Sequence, residues 1–407
     1  MLRKTLKFGL DAGTAHFRLC TPDHIIQFKD EKTSSESALF PSVVVMEGAK
    51  VVKVGWDAYR AEGRLEQGQT REWAISGGKP CNEDIIKAVL HSMTEQFKLV
   101  QRASGVFSAI HRMDKVEFIV ATPCIVDEVH YRAFRHIMEE FHSSVLFVPQ
   151  PWASALFAAE QAKQKSLMIF NLGRGTFDVS LLHHGSFVEG GTFSIPYGSG
   201  DIDRSIQGYI KKKYSLLIDE RQAEFLKIKS CLGTIFGPRQ VKLRGKLQHL
   251  HWPEDSEKTA TPTVDLLEIQ TNCLDPFVEK LAEDLRQAFH ERIGSGTAHS
   301  DMLNGSTFAL GNGFKLGGLA DKLGTAIGRR IQELGSKMDG GLADIQGVQL
   351  LLNDQEGNLV KRYCSREDSP SIAAFEFREP KVPSESTSKL TAPGRFVTSE
   401  GGACPTK

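Results

Sequence analysis

The sequence predicts an α/β fold made of two similar lobes with a cleft between them. The chain has 407 residues, more than the roughly 250–300 that one hydrophobic core usually supports. Two stretches, "KFGLDAGTAHFRLC" at 7–20 and "MIFNLGRGTFDV" at 168–179, each consist of a strand, a glycine-containing turn and a second strand. Strands and amphipathic helices alternate after each of them, which is typical of α/β proteins.

The two hairpins have the same layout. Asn171 lies 160 residues after Asp11, and Gly173 lies 160 residues after Gly13. Glycine lets the backbone N–H groups of a turn come close to an anion, and consecutive turn amides form an anion-binding site. Two lobes that each begin with such a turn would therefore hold a phosphate-containing ligand in the cleft between them.

The segments after each hairpin predict similar successions of elements. The first hairpin is followed by "FPSVVVMEG", "VVKVGWDAY", a helix at 82–100, a strand at 116–123, and helices at 127–141 and 152–163. The second is followed by a strand at 186–196, helices at 198–214, 219–232 and 264–293, a strand-rich excursion at 239–262, and a strand, turn and helix at 306–323. The helix at 82–100 has apolar residues spaced three and four apart, as on one helix face.

Composition excludes several classes of protein. Hydrophobic residues make up 40% and charged residues 25% of the chain, and fifty basic residues balance fifty acidic ones. No overall field therefore favours nucleic acid or anionic lipid. Seven cysteines without a CxxC pair indicate reduced thiols. The absence of an apolar run of about 18 residues and of a signal-peptide pattern predicts a cytoplasmic protein without a transmembrane segment.

The order of these motifs resembles the actin superfamily, and most closely the bacterial actins of the MreB type. The resemblance covers about residues 5–330. "LDAGTAHFRL" is similar to the family's first phosphate motif, "NLGRGTFDVSLL" to its second, and "GSGDIDRSIQGYIKKKYSLLIDERQAEFLK" to the segment that follows. It implies the two-lobed fold shared by actin and the heat-shock-chaperone ATPases, with a nucleotide cleft between the lobes.

The resemblance also implies the cofactors ATP and Mg²⁺ and a set of binding residues. Asp11 is expected to hold the magnesium, because a hard cation prefers carboxylate oxygens. Glu224 would bind the ribose, the Lys227 stem would lie beside the adenine, and the base would pack on the turn that contains Asn312, a residue that tolerates left-handed φ. The implied nucleotide-binding residues are Asp11, Gly13, Thr14, Ala15, His16, Gly173, Arg174, Gly175, Thr176, Glu224, Phe225, Leu226, Lys227, Gly311, Asn312, Gly313 and Phe314.

Two positions bear on catalysis. Gln150 stands where actin has a glutamine that positions the attacking water; a locally bonded, buried glutamine is the alternative. Asn171 replaces the family's second aspartate, so it supplies neither charge nor a proton acceptor. We therefore expect ATP turnover, if present, to be slow, and Asn171→Asp to tighten magnesium and raise turnover. Arg174 replaces a glycine; we expect it to face solvent, with a clamp on the phosphates as the alternative.

The domain organisation follows from the repeat. The first lobe is expected at 1–160, with a small subdomain at about 31–80, and the second at 161–335, with a small subdomain at about 199–261. We predict divergent C-terminal strands at 336–378, including one at 348–352. The segment 379–407 is rich in Pro, Ser, Thr and Gly, which predicts a disordered tail.

Four functions are compatible with these motifs. The first is an ATP-binding cytoskeletal protein that forms head-to-tail filaments, works in cell shape or intracellular organisation, and contacts membrane-associated morphogenesis proteins at the inner face of the membrane. The second is a chaperone-type ATPase, although only about seventy residues follow the ATPase-like part. The third is an acetate- or sugar-kinase relative, which Asn171 disfavours. The fourth is a degenerate actin-like protein that binds a partner without polymerising.

Overall fold

The hairpin repeat of the sequence is a repeat of two five-stranded sheets in the three-dimensional structure. The structure is a computed structural model that describes residues 6–62, 64–103, 116–126, 128–140, 143–236, 239–247, 259–293, 305–334, 340–354 and 359. These residues lie in one unit, Met1–Phe375.

The elements follow in two series that each start with a hairpin. The first series is β1 (Leu6–Ala12), β2 (His16–Cys20), β3 (Phe28–Lys29), β4 (Glu36–Ser37), β5 (Phe40–Pro41), β6 (Val43–Glu47), β7 (Lys50–Val54), α1 (Gly55–Arg60), β8 (Gln69–Trp73), β9 (Ile75–Ser76), β10 (Lys79–Pro80), α2 (Glu83–Ala103), β11 (Val116–Thr122), α3 (Glu128–Glu140), β12 (Ser143–Pro149) and α4 (Gln150–Ala162). The second is β13 (Leu167–Leu172), β14 (Phe177–His183), β15 (Ser186–Ile195), α5 (Ser199–Tyr214), β16 (Leu216–Leu217), α6 (Glu220–Phe236), β17 (Gln240–Lys242), β18 (Gly245–Leu247), β19 (Thr259–Ala260), β20 (Thr263–Asp265), α7 (Leu266–Ile269), a π-helical turn (Gln270–Leu274), α8 (Asp275–Ile293), β21 (Ser306–Leu310), a 3₁₀ turn (Asn312–Lys315), a helix (Leu319–Ile327), β22 (Ile331–Glu333), a 3₁₀ turn (Gly340–Leu342) and the closing helix (Ala343–Asn353).

The two sheets have the same strand order and the same strand directions. The order is β5-β2-β1-β11-β12 in the first sheet and β15-β14-β13-β21-β22 in the second. In both, the first three strands are antiparallel and the last three are parallel. Asp11 lies opposite Arg18 in the first hairpin, and Asn171 lies opposite Asp178 in the second. The internal repeat predicted from the two motifs is therefore a repeat of whole sheets.

Two helices form a layer between the sheets. α4 and the closing helix share one hydrophobic cluster with residues of β11, β13 and β21, including Ala155, Ile169 and Val348. The two helices approach closely because Gly347 has no side chain: a Cβ there would lie 1.9 Å from the carbonyl oxygen of Ala153. Separate cores cover the outer face of each sheet.

The predicted strand at 348–352 is wrong, because this stretch lies in the closing helix. Its apolar run is too short to distinguish a strand from a buried helix. In the structure Ile345, Val348 and Leu352 are buried, a spacing of three and four residues that places them on one face. The rest of the predicted C-terminal strands and the predicted tail at 379–407 lie outside the described residues, apart from Leu359.

Smaller sheets lie beside the two large ones. β6, β7 and β8 form a sheet that packs with α1 around Val43, Val45 and Ala58, within the first predicted subdomain. β16, β18 and β19 form another in the second half. Among the described residues, no helix is both long and apolar enough to span a membrane. The lobe and subdomain boundaries remain predictions.

Candidate functional site

The tips of the two hairpins touch each other. A Cβ built on Gly175 would lie 2.2 Å from the Thr14 hydroxyl oxygen, so only glycine permits this approach. The first turn is held by Ser42, whose hydroxyl donates to the Thr14 carbonyl at 2.5 Å. The second turn is closed by the Gly173 N–H, which donates to the Thr176 carbonyl at 2.9 Å. The structure thus brings the two predicted phosphate turns together.

Helix α5 begins against the second turn. The Ser199 N–H donates to the Gly173 carbonyl and the Gly200 N–H to the Arg174 carbonyl, both at 2.9 Å. The first amides of a helix have no partner within the helix, and here the turn's carbonyls satisfy two of them. This contact fixes the orientation of the second turn.

Asp11 is completely buried and carries the negative charge of the first hairpin. Arg18 donates from Nη1 to Asp11 Oδ2, and Gln150 donates from Nε2 to Asp11 Oδ1 at 2.5 Å. Gln150 is therefore locally bonded in this structure, as one of its two predicted roles requires. Arg18 was not predicted from the sequence, although the hairpin register places it opposite Asp11.

Asn171 is buried at the equivalent position of the second hairpin and contacts a carboxylate from the closing helix. Its Nδ2 lies 2.8 Å from Asp344 Oδ1 and 3.1 Å from Ser154 Oγ. The Ser154 hydroxyl donates to the same oxygen of Asp344. Burial, and then the nearby Asp11 charge, raise the pKa of Asp344 to about 7. The helical spacing of residues 345–352 was the signal that could have placed Asp344 in a buried first turn.

Arg174 does not face solvent, so that expectation is wrong. Its guanidinium contacts Asp203 Oδ2 at 3.2 Å and also pairs with Glu220. It lies over the Trp73 ring, 4.7 Å from the ring centroid. Glu220 pairs with Arg71 of β8 as well, so the second turn is linked to a strand of the first series through these charges.

The segment predicted to contact ribose and adenine lies on α6, and its side chains point in different directions. Lys227 is buried, with Nζ 2.8 Å from Asp203 Oδ1, and Glu224 is half-buried. Leu226 is completely buried in the core of the second sheet, whereas Phe225 is 44% exposed. Helix geometry places Leu226 inside and thereby removes it from the candidate lining.

The turn predicted to support the base follows β21. Gly311 has a φ of 84°, while Asn312 begins a 3₁₀ turn and has no positive φ. The left-handed residue is therefore Gly311, and the reason given for Asn312 is wrong. Phe314 packs in the core, edge-on to Phe177 with ring centroids 6.1 Å apart. Gly313 is buried beside it.

Two further titratable groups lie in the hairpins. Burial, together with Arg18 and Arg174, lowers the pKa of His16 to about 3, so this imidazole is neutral near pH 7. Burial raises the pKa of Asp178 to about 7, although its oxygens accept hydrogen bonds from Ser194 and Thr176. The first hairpin therefore has a neutral histidine and an ion pair, and the second an amide and a buried acid.

Two sheets of one topology, whose hairpin turns meet above a shared helical layer, define the actin-like class of folds. The MreB/Mbl protein family matches residues 6–332. The chain therefore belongs to the MreB/Mbl family, as its motifs indicated.

Individual relatives support the same conclusion. The chain is 26% identical over 245 residues to the cell shape-determining protein Mbl of Bacillus subtilis, and 28% identical over 245 residues to that of Bacillus cereus. Each alignment covers 58% of this chain and 66% of the relative, so the chain spans slightly less than two thirds of their length.

Solved structures confirm the fold. MreB5 of Spiroplasma citri bound to AMPPNP has a TM-score of 0.66 at 16% identity, covering 88% of this chain and 99% of that one. The MamK double helical filament has a TM-score of 0.60 at 13% identity, covering 86% and 99%. At these identities the likeness concerns the fold alone.

Proposed function

We propose that this protein is an ATP-binding, actin-like cytoskeletal protein that forms filaments and contributes to cell shape. The observation that carries the proposal is the contact between the two glycine turns, at Thr14 and Gly175, beside the buried Asp11. Membership of the MreB/Mbl family and the Mbl relatives, named as cell shape-determining proteins, support it. The AMPPNP bound by Spiroplasma citri MreB5 supports a nucleotide as the ligand.

The residues present fit a magnesium nucleotide. The backbone amides of the turns at 13–16 and 173–176 would bind the phosphates, and Asp11 would hold the metal through water. Each carboxylate oxygen of Asp11 already accepts one hydrogen bond, but a carboxylate has about four acceptor sites, so it keeps the capacity to accept from metal-bound water. The bound magnesium would neutralise phosphate charge. Arg18 adds a cation beside Asp11.

Slow hydrolysis is part of the proposal. Asn171 contributes no charge, and the Gln150 amide is bonded to Asp11. Phosphoryl transfer depends on positioning and on charge neutralisation, and loss of a positioned acid–base group costs about 10²–10⁴ in rate. We expect filaments with a long-lived triphosphate.

Head-to-tail assembly is proposed from the MamK filament neighbour. Heterologous contacts of that kind propagate instead of closing. We propose a cytoplasmic location, with membrane-associated morphogenesis proteins at the inner face of the membrane as partners, and no nucleic acid partner.

Sedimentation and electron microscopy of the full chain with ATP and magnesium test this function. We expect pelleted filaments for the wild type and loss of pelleting for Asp11→Ala. Arg204→Thr is the matched control, because Arg204 is an exposed charge on α5. Monomer alone across nucleotide and salt conditions would contradict filament formation and favour a non-polymerising, partner-binding protein.

A further inference from the structure

The Asn171 amide is held in one orientation by Asp344. An amide nitrogen has two hydrogens to donate and the amide oxygen only accepts. The Asn171 nitrogen has two acceptors on the same side: Asp344 Oδ1 at 2.8 Å and Ser154 Oγ at 3.1 Å. The Ser154 hydroxyl donates to Asp344 in turn. The three side chains thus form a closed group in which the nitrogen of Asn171 faces the closing helix.

The oxygen of Asn171 consequently faces the opposite side. A Cβ on Gly311 would lie 2.3 Å from Asn171 Oδ1, so this oxygen borders the turn at 311–314. Within the described part of the chain, no donor binds Asn171 Oδ1. An acceptor oxygen is what an aspartate would present at this place, and the orientation gives the neutral side chain the same polarity.

We propose that Asp344 is a positioning residue for the nucleotide site: it orients Asn171 so that Oδ1 serves as the acceptor that a carboxylate would otherwise supply. The inference rests on the proposed ATP–magnesium function. Asn171 and Asp344 would then be exchanged partners, with the carboxyl group moved from the hairpin to the closing helix. This predicts that Asn171→Asp alone is harmful, contrary to the expectation from the sequence, because it places two buried carboxylates against each other.

Calorimetry with ATP, in magnesium and in EDTA, and phosphate release test the proposal on the full chain. Asp344→Ala should lose at least about tenfold in turnover and the magnesium-dependent part of ATP affinity, with affinity in EDTA unchanged. Asp344→Asn keeps an acceptor oxygen and should stay within about threefold of the wild type, less than 1 kcal/mol. Asp354→Ala, a buried aspartate at the other end of the same helix, is the control.

The double variant Asn171→Asp with Asp344→Asn, in which the two residues are exchanged, gives the most direct test. Asn171→Asp should lose at least about tenfold in turnover, and Asn171→Asp with Asp344→Asn should recover it, since the new amide can donate to the new carboxylate. Equal losses in Asp344→Ala and Asp344→Asn would overturn the proposal, because charge and not orientation would then matter. Asn171→Asp as active as the wild type without its partner change would also overturn it.

Thermal unfolding without nucleotide separates the two proposals. If the wild type binds no ATP, the proposed function fails. The pair is then judged by unfolding alone: Asn171→Asp and Asp344→Ala should each lower the melting temperature, and adding Asp344→Asn to Asn171→Asp should restore it. Additive losses in the exchange variant would overturn the pairing whatever the ATP result.

Discussion

The two hairpins have the same strand register but different charges. In the first, Asp11 is paired across the strands with Arg18; in the second, Asn171 lies opposite Asp178, and a further acid, Asp344, comes from the closing helix. The glycines and the strand register, which fix the turn, are common to both. The comparison indicates that the strand register around a glycine turn can be retained while its charges are rearranged.

The largest difference is expected when the equivalent residue is removed from each hairpin. Asp11→Ala leaves the Arg18 guanidinium buried without its carboxylate, and breaking such a pair typically costs about 3–5 kcal/mol of unfolding free energy. Asn171→Ala removes the hydrogen bonds that a neutral amide donates to Asp344 and Ser154, at about 1–3 kcal/mol. Urea unfolding of both variants without nucleotide makes the comparison. Equal costs would mean that the two hairpins are not electrostatically different.

A smaller effect concerns pH, because burial raises the pKa of Asp178 in the second hairpin. The pKa of Asp178 is about 7 in the fold and near 3.8 unfolded. Between these values the folded protein binds more protons, so its stability falls as pH rises, by up to about 1.4 kcal/mol per pH unit. The unfolding free energy of Asp178→Asn minus that of the wild type should therefore increase from pH 5 to pH 7. Urea unfolding at pH 5, 6, 7 and 8 measures this difference. A difference that does not change with pH would contradict the prediction.

The smallest effect is expected from making the second turn resemble the first. Arg174 corresponds to Thr14, and Arg174→Thr removes one partner from Asp203 and one from Glu220. Asp203 keeps Lys227 and Glu220 keeps Arg71, so neither carboxylate is left without a cation, and we expect a loss of about 1 kcal/mol in unfolding free energy. Arg204→Thr serves as an exposed control with no measurable change. A loss of unfolding free energy no greater than that of the control would mean that the ion pairs of Arg174 with Asp203 and Glu220 do not stabilise the fold.

The fold could be predicted largely from the sequence because its signals are local. The hairpin glycines, the strand pairs around them and the amphipathic helices at 83–103 and 275–293 each lie within a short window. The helical structure of residues 348–352 could not be predicted from a short window, because their burial depends on α4 and the first sheet.

The site was predictable only where its contacts follow from register. Arg18 faces Asp11 through hairpin geometry alone, seven residues away. Asp344 reaches Asn171 from 173 residues further along the chain, and Arg174 meets Glu220 on another helix. Such long-range contacts depend on tertiary packing, so the spacing of residues in the sequence does not predict them.

ATP binding by the two touching turns is the central claim, and one calorimetric titration tests it most directly. ATP with magnesium is titrated into the wild type, Gly175→Val and Gly208→Ala; a Cβ at 208 meets no atom within 4 Å, whereas one at 175 collides with Thr14. We predict that the wild type and Gly208→Ala bind a single ATP, and that Gly175→Val, which forces the turns apart, binds at least about 100-fold more weakly, equivalent to about 2.8 kcal/mol. A folded Gly175→Val that binds ATP as tightly as the wild type, or a wild type that binds none, would contradict the claim.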